Sequence, residues 1–425
     1  MPILTPELSQ ILRALCGLVV FIGMVWLLSE NRRAFPMRAV LTGLIAQIGL
    51  AVLLTRLPPL TAALGAVAHA VDAVQSAAVQ GAIFVFGYLG GGAQPFVRAE
   101  GGASTFIFAL QALPALLLVS ALAALLWHVG VLRWIVRGAA WGFGRVFGVS
   151  GPVGVSVSAC IFLGMIESPL LVRPLLPKLT RGELFILMVD GMSVVAGSMM
   201  ILLGAMMSRH MPDAFTHLLI ASLISTPMAI GLARILVPDA GSGQLLALDL
   251  RSPYRSGMDA LTQGTLSAVH MAVNIAALLI VFIGLIALVN MGLKAAPIGP
   301  EPLTLGRILG WLFTPVAWLM GAPATDLQTV GSLLGAKVSM NEVVAYGQLS
   351  ALPTEALTPK GLLIATYALC SFGNIGSVAI LIGTLSALVP ERADEFVELG
   401  FKALFCAFLT SCMTGSVIGL VSTLP

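Results

Sequence analysis

Long apolar runs broken by short polar segments dominate the chain. A bilayer-crossing helix needs about 20 residues at 1.5 Å rise. On that rule spans are expected near 8–29, 38–55, 103–128, 183–206, 214–236, 267–292, 360–388 and 400–421. Four stretches between them do not read as spans. Residues 60–98 are Ala-, Gly- and Val-rich with His69, Asp72 and Gln80. They predict an interfacial or tilted amphipathic helix followed by a Gly-Gly-Gly loop at 90–92. Residues 133–149 interleave Trp134 and Trp141 with Arg133, Arg137 and Arg145, which suits a helix lying among headgroups. Residues 237–265 form the most polar stretch, and 305–321 a short helix ending in Trp318-Leu319-Met320-Gly321.

Two further apolar runs are too short to cross and carry a charge at the tip. The run from Val153 to Ile166 meets Glu167-Ser168-Pro169, and the run from 326 meets Asn341-Glu342 before ending at Pro353. Each predicts a re-entrant helical hairpin, because backbone at that depth is tolerated only where it lines a cavity or is buried in protein. In the first, Ser168 is expected to cap and Pro169 to start the returning helix. A broken span follows each hairpin, interrupted at Ser193-Val194-Val195-Ala196-Gly197-Ser198 and at Ser371-Phe372-Gly373-Asn374-Ile375-Gly376-Ser377.

Composition agrees with a polytopic helical membrane protein. The chain has 425 residues, 58% hydrophobic and 10% charged, with 45 glycines and 24 prolines, and a mean hydropathy of +1.01. The net charge of +3 is too small and dispersed for a nucleic-acid partner. Cys16, Cys160, Cys370, Cys406 and Cys412 lie in apolar runs and read as packing residues. The five histidines, including His270, sit singly and predict no metal site. No cofactor motif and no nucleotide loop is present. With the N-terminus outside, fourteen of the 22 basic residues fall on the cytoplasmic side and eight on the other, which favours both termini outside. The two hairpin-plus-broken-helix units then enter from opposite sides, the pattern of an inverted-repeat secondary transporter with its substrate at midplane.

Glu167 and Glu342 are the leading functional candidates, as hydrogen-bond acceptors for a polar substrate or as proton carriers; the competing role is a buried ion pair. Asn374 and Ser377 sit in a glycine-flanked polar cluster with Phe372, able to serve a ligand or an interhelical contact. Asp190 precedes Gly191 in the first broken span and is a proton relay, a solvated vestibule residue, or a partner of Arg181 or Arg173. Arg173 and Lys178 are expected to snorkel at the rim.

These motifs resemble the concentrative nucleoside transporter family. Gly164-Met165-Ile166-Glu167-Ser168-Pro169, Glu183-Leu184 and Ala196-Gly197-Ser198 are similar to its first hairpin and following helix. Pro315 to Pro323, Gly335-Ala336-Lys337, and Asn341-Glu342-Val343-Val344-Ala345-Tyr346 are similar to its second hairpin and approach. Ala368 to Ser377 with Pro390-Glu391-Arg392 is similar to its last broken helix and loop. The resemblance covers roughly residues 150–425. It implies an all-α fold of eight transmembrane helices plus two re-entrant hairpins, assembled as a homotrimer in the inner (plasma) membrane, with a transport domain moving elevator-fashion against a scaffold. It implies that Glu342, Asn374 and Ser377 hold ribose hydroxyls, that Phe372 lies near the sugar and base, and that Glu167 faces the base.

The chain departs from the family at two places. Met165 and Ile166 stand where the pattern has Gln and Thr, so neither side chain can read a base edge. Cys160 and Val194 stand where the family's sodium site has an amide and a hydroxyl, leaving only carbonyls such as those of Leu163 and Val195. The sequence therefore predicts a nucleoside importer coupled to protons rather than sodium, with Glu167, Glu342 and Asp190 as candidate carriers. The alternatives are a same-fold transporter of a more apolar ribosyl compound and an intramembrane carboxylate enzyme. Four regions are expected: mostly scaffold at 1–150, a first transport repeat at 151–236, a loop and scaffold or trimer helix at 237–304, and a second transport repeat at 305–425.

Overall fold

A computed structural model describes residues 6–96, 106–238, 252–294 and 303–423, and the described residues are helical throughout with short connections. Helices α1 (Pro6–Leu27) and α2 (Met37–Arg56) lead into α3 (Pro58–Phe86). Then follow α4 (Phe108–Gln111), α5 (Pro114–Val129) and α6 (Val131–Phe147). The first hairpin is α7 (Gly151–Leu163), α8 (Glu167–Leu170) and a tight helical turn at Arg173–Lys178. The first broken helix is α9 (Arg181–Ser193) with α10 (Gly197–Met207), followed by α11 (Ala214–Leu236) and α12 (Gly257–Lys294). After α13 (Leu305–Leu319), the second hairpin is α14 (Leu327–Ser339) with α15 (Glu342–Ala351). The second broken helix is α16 (Pro359–Leu369) with α17 (Ile375–Leu388), and α18 (Ala393–Val421) closes the described chain.

Among the described residues, eight helical stretches are long and apolar enough to cross a membrane. Seven coincide with expected spans. The eighth, Pro58–Gly90, falls where an interfacial or tilted amphipathic helix, not a span, was expected. It is one helix and a final turn, and with Asp72 as its only charged residue its hydropathy of 1.3 stays in the spanning range. The span expected at 360–388 is instead two short helices, because Cys370 to Asn374 leaves the helical path between α16 and α17. Arg98 and Arg251, counted in the charge balance, lie outside the described residues, as does much of the polar stretch 237–265. On helix α6, Trp134 and Trp141 are over 70% exposed.

Burial separates a centre from a periphery. In α9–α10, 94% of the most apolar window is buried, and in α11 and α18 83%; in α12 none is. Helices apolar on all faces belong in the interior of a bundle. Their few polar side chains bond one another: Ser225 Oγ lies 2.8 Å from Thr414 Oγ1, and Gln47 Nε2 donates to Thr414 Oγ1 at 3.1 Å. Such bonds tie α2, α11 and α18 where water is absent. Helix α12 instead lies along α5. They approach closely because Gly264 has no side chain: a Cβ there would stand 2.7 Å from the Ser120 carbonyl oxygen.

Candidate functional site

The two breaks of the second repeat are each made by an asparagine N-cap. Asn341 Oδ1 accepts from the Val344 N–H at 2.9 Å at the start of α15. Asn374 Oδ1 accepts from the Ser377 N–H at 2.8 Å at the start of α17. An asparagine oxygen that satisfies a first-turn N–H lets a helix begin in mid-membrane. Each cap then places the following residues at a helix start: Glu342 beside Asn341, and Ser377 within the first turn of α17. Asn374 Nδ2 is left free to donate to Glu342 Oε2 at 3.0 Å and to the Phe372 carbonyl at 3.3 Å. Glu342, Asn374 and Ser377 are all buried.

The first repeat makes its breaks differently. Gly164 ends α7 at φ 96°, a conformation that L side chains rarely adopt. A Cβ there would also stand 2.9 Å from Ala196 Cβ, so hairpin tip and helix break touch. The returning helix begins at Glu167 with Ile166 in the cap position and no side-chain cap. This corrects the expectation for Ser168 and Pro169, which lie inside the first turn. The returning arm is short because Pro169, Pro174 and Pro177 crowd it. The two broken helices meet at their breaks, where the Phe372 N–H donates to the Val194 carbonyl at 3.4 Å.

A cavity of about 680 Å³ opens where these breaks converge, within the range of small-molecule sites. Met165, Ile166 and Glu167 line it from the first hairpin, Glu342 from the second, and Phe372, Asn374 and Ser377 from the second broken helix. All seven residues singled out for substrate in the sequence therefore lie on one cavity. Arg173 and Lys178 are exposed, as expected at a rim.

One wall of the cavity is absent from the sequence reading. Ser267, His270 and Asn274 line it from α12, with Met271, Ile275, Leu278 and Phe282. Their spacings of three and four residues put them on one helix face. The sequence places these three polar residues in the helix but says nothing of what faces them. His270 is exposed, and its Nδ1 donates to the Leu266 carbonyl at 2.9 Å, which leaves Nε2 outward.

Asp190 does not line the cavity. It is 1% exposed, and neither carboxylate oxygen has a hydrogen-bond partner. The Thr226 hydroxyl faces it and also reaches the Ser222 carbonyl, 3.4 Å away, and Cys160 is close enough to feel its charge. Asp190 is thus neither solvated nor paired with Arg181, whose guanidinium pairs with Glu30 and Glu398 at the surface.

The buried amine of Lys337 donates to the Ala368 carbonyl at 2.8 Å and to Ser411 Oγ at 2.7 Å. It fastens the second hairpin to α16 and α18.

Three family models match. Those described as "Na+ dependent nucleoside transporter" match residues 217–419 (C-terminus) and 16–89 (N-terminus), and "Nucleoside recognition" matches 109–210. The putative nucleoside permease NupX of Escherichia coli is 33% identical over 417 residues, covering 96% of this chain and 98% of that one. The nucleoside permease NupC of Helicobacter pylori is 30% identical, covering 95% of this chain and 96% of that protein. The structure of CNTnw in an inward-facing substrate-bound state superposes with a TM-score of 0.87 at 32% identity, covering 97% of this chain and 99% of that one. The chain belongs to the concentrative nucleoside transporter family. It is a transporter rather than an enzyme, which sets aside the intramembrane carboxylate enzyme.

Two of the matching family descriptions specify sodium, yet the residues here do not fit that ion. At the positions that the resemblance assigns to it, this member has the Cys160 thiol, the Val194 isopropyl group and the carbonyls of Leu163 and Val195. Cys160 is 1% exposed and Val194 and Val195 are fully buried. The Val194 carbonyl already accepts the Phe372 N–H. Hard cations take oxygen ligands in number, and neither side chain supplies one.

Proposed function

We propose that this protein imports nucleosides by proton symport, as a homotrimer in the inner membrane with both termini outside. The observation that carries the reading is the Asn374–Glu342 hydrogen bond on the cavity wall. It holds a carboxylate oxygen and an amide at one end of a ligand-sized space. Vicinal hydroxyls can donate to Glu342 and bond Asn374 and Ser377, so the ribose belongs at this end. Phe372 offers a ring to the sugar and base.

Met165, Ile166 and Met199 face the other end, where Glu167 is the one charged acceptor. The base would be held there by burial and by Glu167, so binding tolerates either base class. Leaving a base polar group buried without a partner costs about 1–3 kcal/mol, so affinity for nucleosides with crowded polar edges falls.

The cavity lies at the seam between the two hairpins and α12, itself paired with α5. That arrangement suits a moving unit, residues 151–236 and 305–425, that slides past a scaffold and carries the substrate with it. The basic residues concentrated on one side support the orientation.

The test is uptake of labelled uridine into proteoliposomes without sodium, with and without an inward proton gradient. Accumulation that a protonophore abolishes establishes the function. Absence of uptake in folded, trimeric protein refutes it for uridine and moves the search to other ribosylated compounds.

A further inference from the structure

We propose that Asp190 is the proton-binding site that couples transport, occupied when the tip of the first hairpin is seated on α9. The inference rests on the proton-symport reading and assigns the proton to one of three carboxyl groups.

Its basis is position and lack of partners. Asp190 lies on α9 four residues before Val194, whose carbonyl accepts the Phe372 N–H where the broken helices cross. The next residue, Gly191, packs on the hairpin tip: a Cβ there would stand 3.2 Å from Met165 Cβ. Cys160, on α7 of that hairpin, is close enough to feel the charge of the carboxyl group. Asp190 thus stands between the hairpin and the helix break, in the part of the fold that the resemblance assigns to the coupling ion.

The surroundings offer an anion no cation and, of polar groups, the Thr226 hydroxyl. Helix α9 is packed by α7, α11 and α18. On α7 the titratable group is Cys160. On α11 they are His217, which is bonded to Tyr367, and Arg234, which donates to the carbonyls of Phe147 and Gly148. On α18 they are Asp394, Glu395, Glu398 and Lys402 near its start, with Cys406 and Cys412 further along. Glu395, Glu398 and Lys402 belong to a surface network with Arg181 and Glu30. Glu167, at the hairpin tip, is a further anion. No cation among these pairs with Asp190, and an unpaired buried carboxylate neutralises rather than remain charged. A sodium ion would need several oxygens, and besides the carboxyl group itself the neighbours offer a thiol and one hydroxyl.

Coupling follows from the same contacts. With a proton bound, Asp190 tolerates the dry contact and the tip of the first hairpin can close the cavity wall at Met165 and Ile166. Losing the proton makes that contact unfavourable and biases the tip to part from α9, so net delivery is tied to proton release, whereas exchange of one substrate for another needs only the protonated form. Glu342 and Glu167 line the cavity instead, where a ligand can bond them directly.

The experiment compares wild type with Asp190→Asn, which imitates the protonated group. Uridine counterflow needs no gradient and should persist in the variant. Gradient-driven accumulation, about tenfold per pH unit for one proton, should fall to about onefold. Infrared spectra of wild type at neutral pH should show a protonated-carboxyl stretch that the variant lacks. Undiminished accumulation in the variant, or an unchanged infrared band, overturns the proposal. So does sodium-stimulated uptake by wild type that Asp190→Asn abolishes, which would give the site to sodium. If wild type shows no uridine counterflow, the nucleoside reading fails, and the infrared band still decides whether Asp190 holds a proton. If Asp190→Asn does not fold, Asp190→Glu replaces it: a displaced band with accumulation retained supports the site, and an unmoved band refutes it.

Discussion

Asn374 donates to Glu342 at 3.0 Å while its other amide atom, Oδ1, caps α17 through the Ser377 N–H at 2.8 Å. One side chain therefore both starts a helix in mid-membrane and orients the carboxylate on the cavity wall. Asn374→Asp keeps the capping oxygen but sets a second carboxyl group against Glu342. Asn374→Ala loses both functions. Thermal unfolding should show the alanine variant less stable by about 1 kcal/mol, the usual worth of a cap, with weaker nucleoside binding in both variants. Equal binding by Asn374→Asp and wild type would detach this bond from the site.

Glu342→Gln keeps the shape of the site and removes its charge. A hydrogen bond to a charged group contributes about 1.5–3 kcal/mol, so titration calorimetry should record a loss in nucleoside affinity of about tenfold to a hundredfold. Unchanged affinity would remove Glu342 from the site.

The hairpins are legible in the sequence because an apolar run too short to cross, with a charge at its tip, has to turn back inside the protein. Glu167 and Glu342 stand out for that reason, and glycine and asparagine around Phe372 mark the second break. The contribution of α12 is not legible. Ser267, His270 and Asn274 are isolated polar residues in a 38-residue apolar helix, and what makes them a wall is the hairpins facing them, a tertiary fact. The helix at 58–90 looks interfacial when His69, Asp72 and Gln80 are weighed individually, whereas membrane partition depends on the sum along the segment. The isolation of Asp190 is hidden for a similar reason: arginines stand near it in sequence, but Arg181 points to the surface.

Lys337 is fully buried and, among the described residues, pairs with no carboxylate and bonds the Ala368 carbonyl and Ser411 Oγ, with the Phe408 ring 5.9 Å away. Lys337→Met keeps the chain length and leaves those two acceptors unserved. Stability should fall by about 1–3 kcal/mol, read as a lower Tm of the detergent-solubilised protein, and Ser411→Ala should cost less because the carbonyl contact survives. A Tm that does not move would show that Lys337 is not a structural tie.

Glu30, in the loop between α1 and α2, receives Arg181 at 2.8 Å and Lys402 at 2.7 Å. The hydrogen bond from Arg181 foremost holds its carboxyl group below the ordinary value. A depressed folded pKa gives stability that is fully present above the unfolded value of about 4.3 and lost as pH falls through the folded one. Partial exposure limits the contribution to below about 1 kcal/mol. Glu30→Gln should therefore lower the Tm slightly at neutral pH, and the difference should close on acidification below about pH 4. A gap that persists in acid would assign the effect to packing.

The cation preference can be tested by restoring what the chain lacks. Cys160 and Val194 are buried at facing breaks, one on the first hairpin and one on the first broken helix. The double substitution Cys160→Asn with Val194→Ser supplies an amide oxygen and a hydroxyl to join the carbonyls of Leu163 and Val195, giving a hard cation the oxygen set it prefers. Sodium should then stimulate uridine uptake by the double variant but not by wild type, and the proton gradient should matter less. Each single variant should respond weakly, because one added oxygen leaves the coordination incomplete. If the double variant folds and still ignores sodium, the carbonyls at Leu163 and Val195 do not converge on a common point. The absence of sodium coupling would then lie in the backbone of the break rather than in those two side chains.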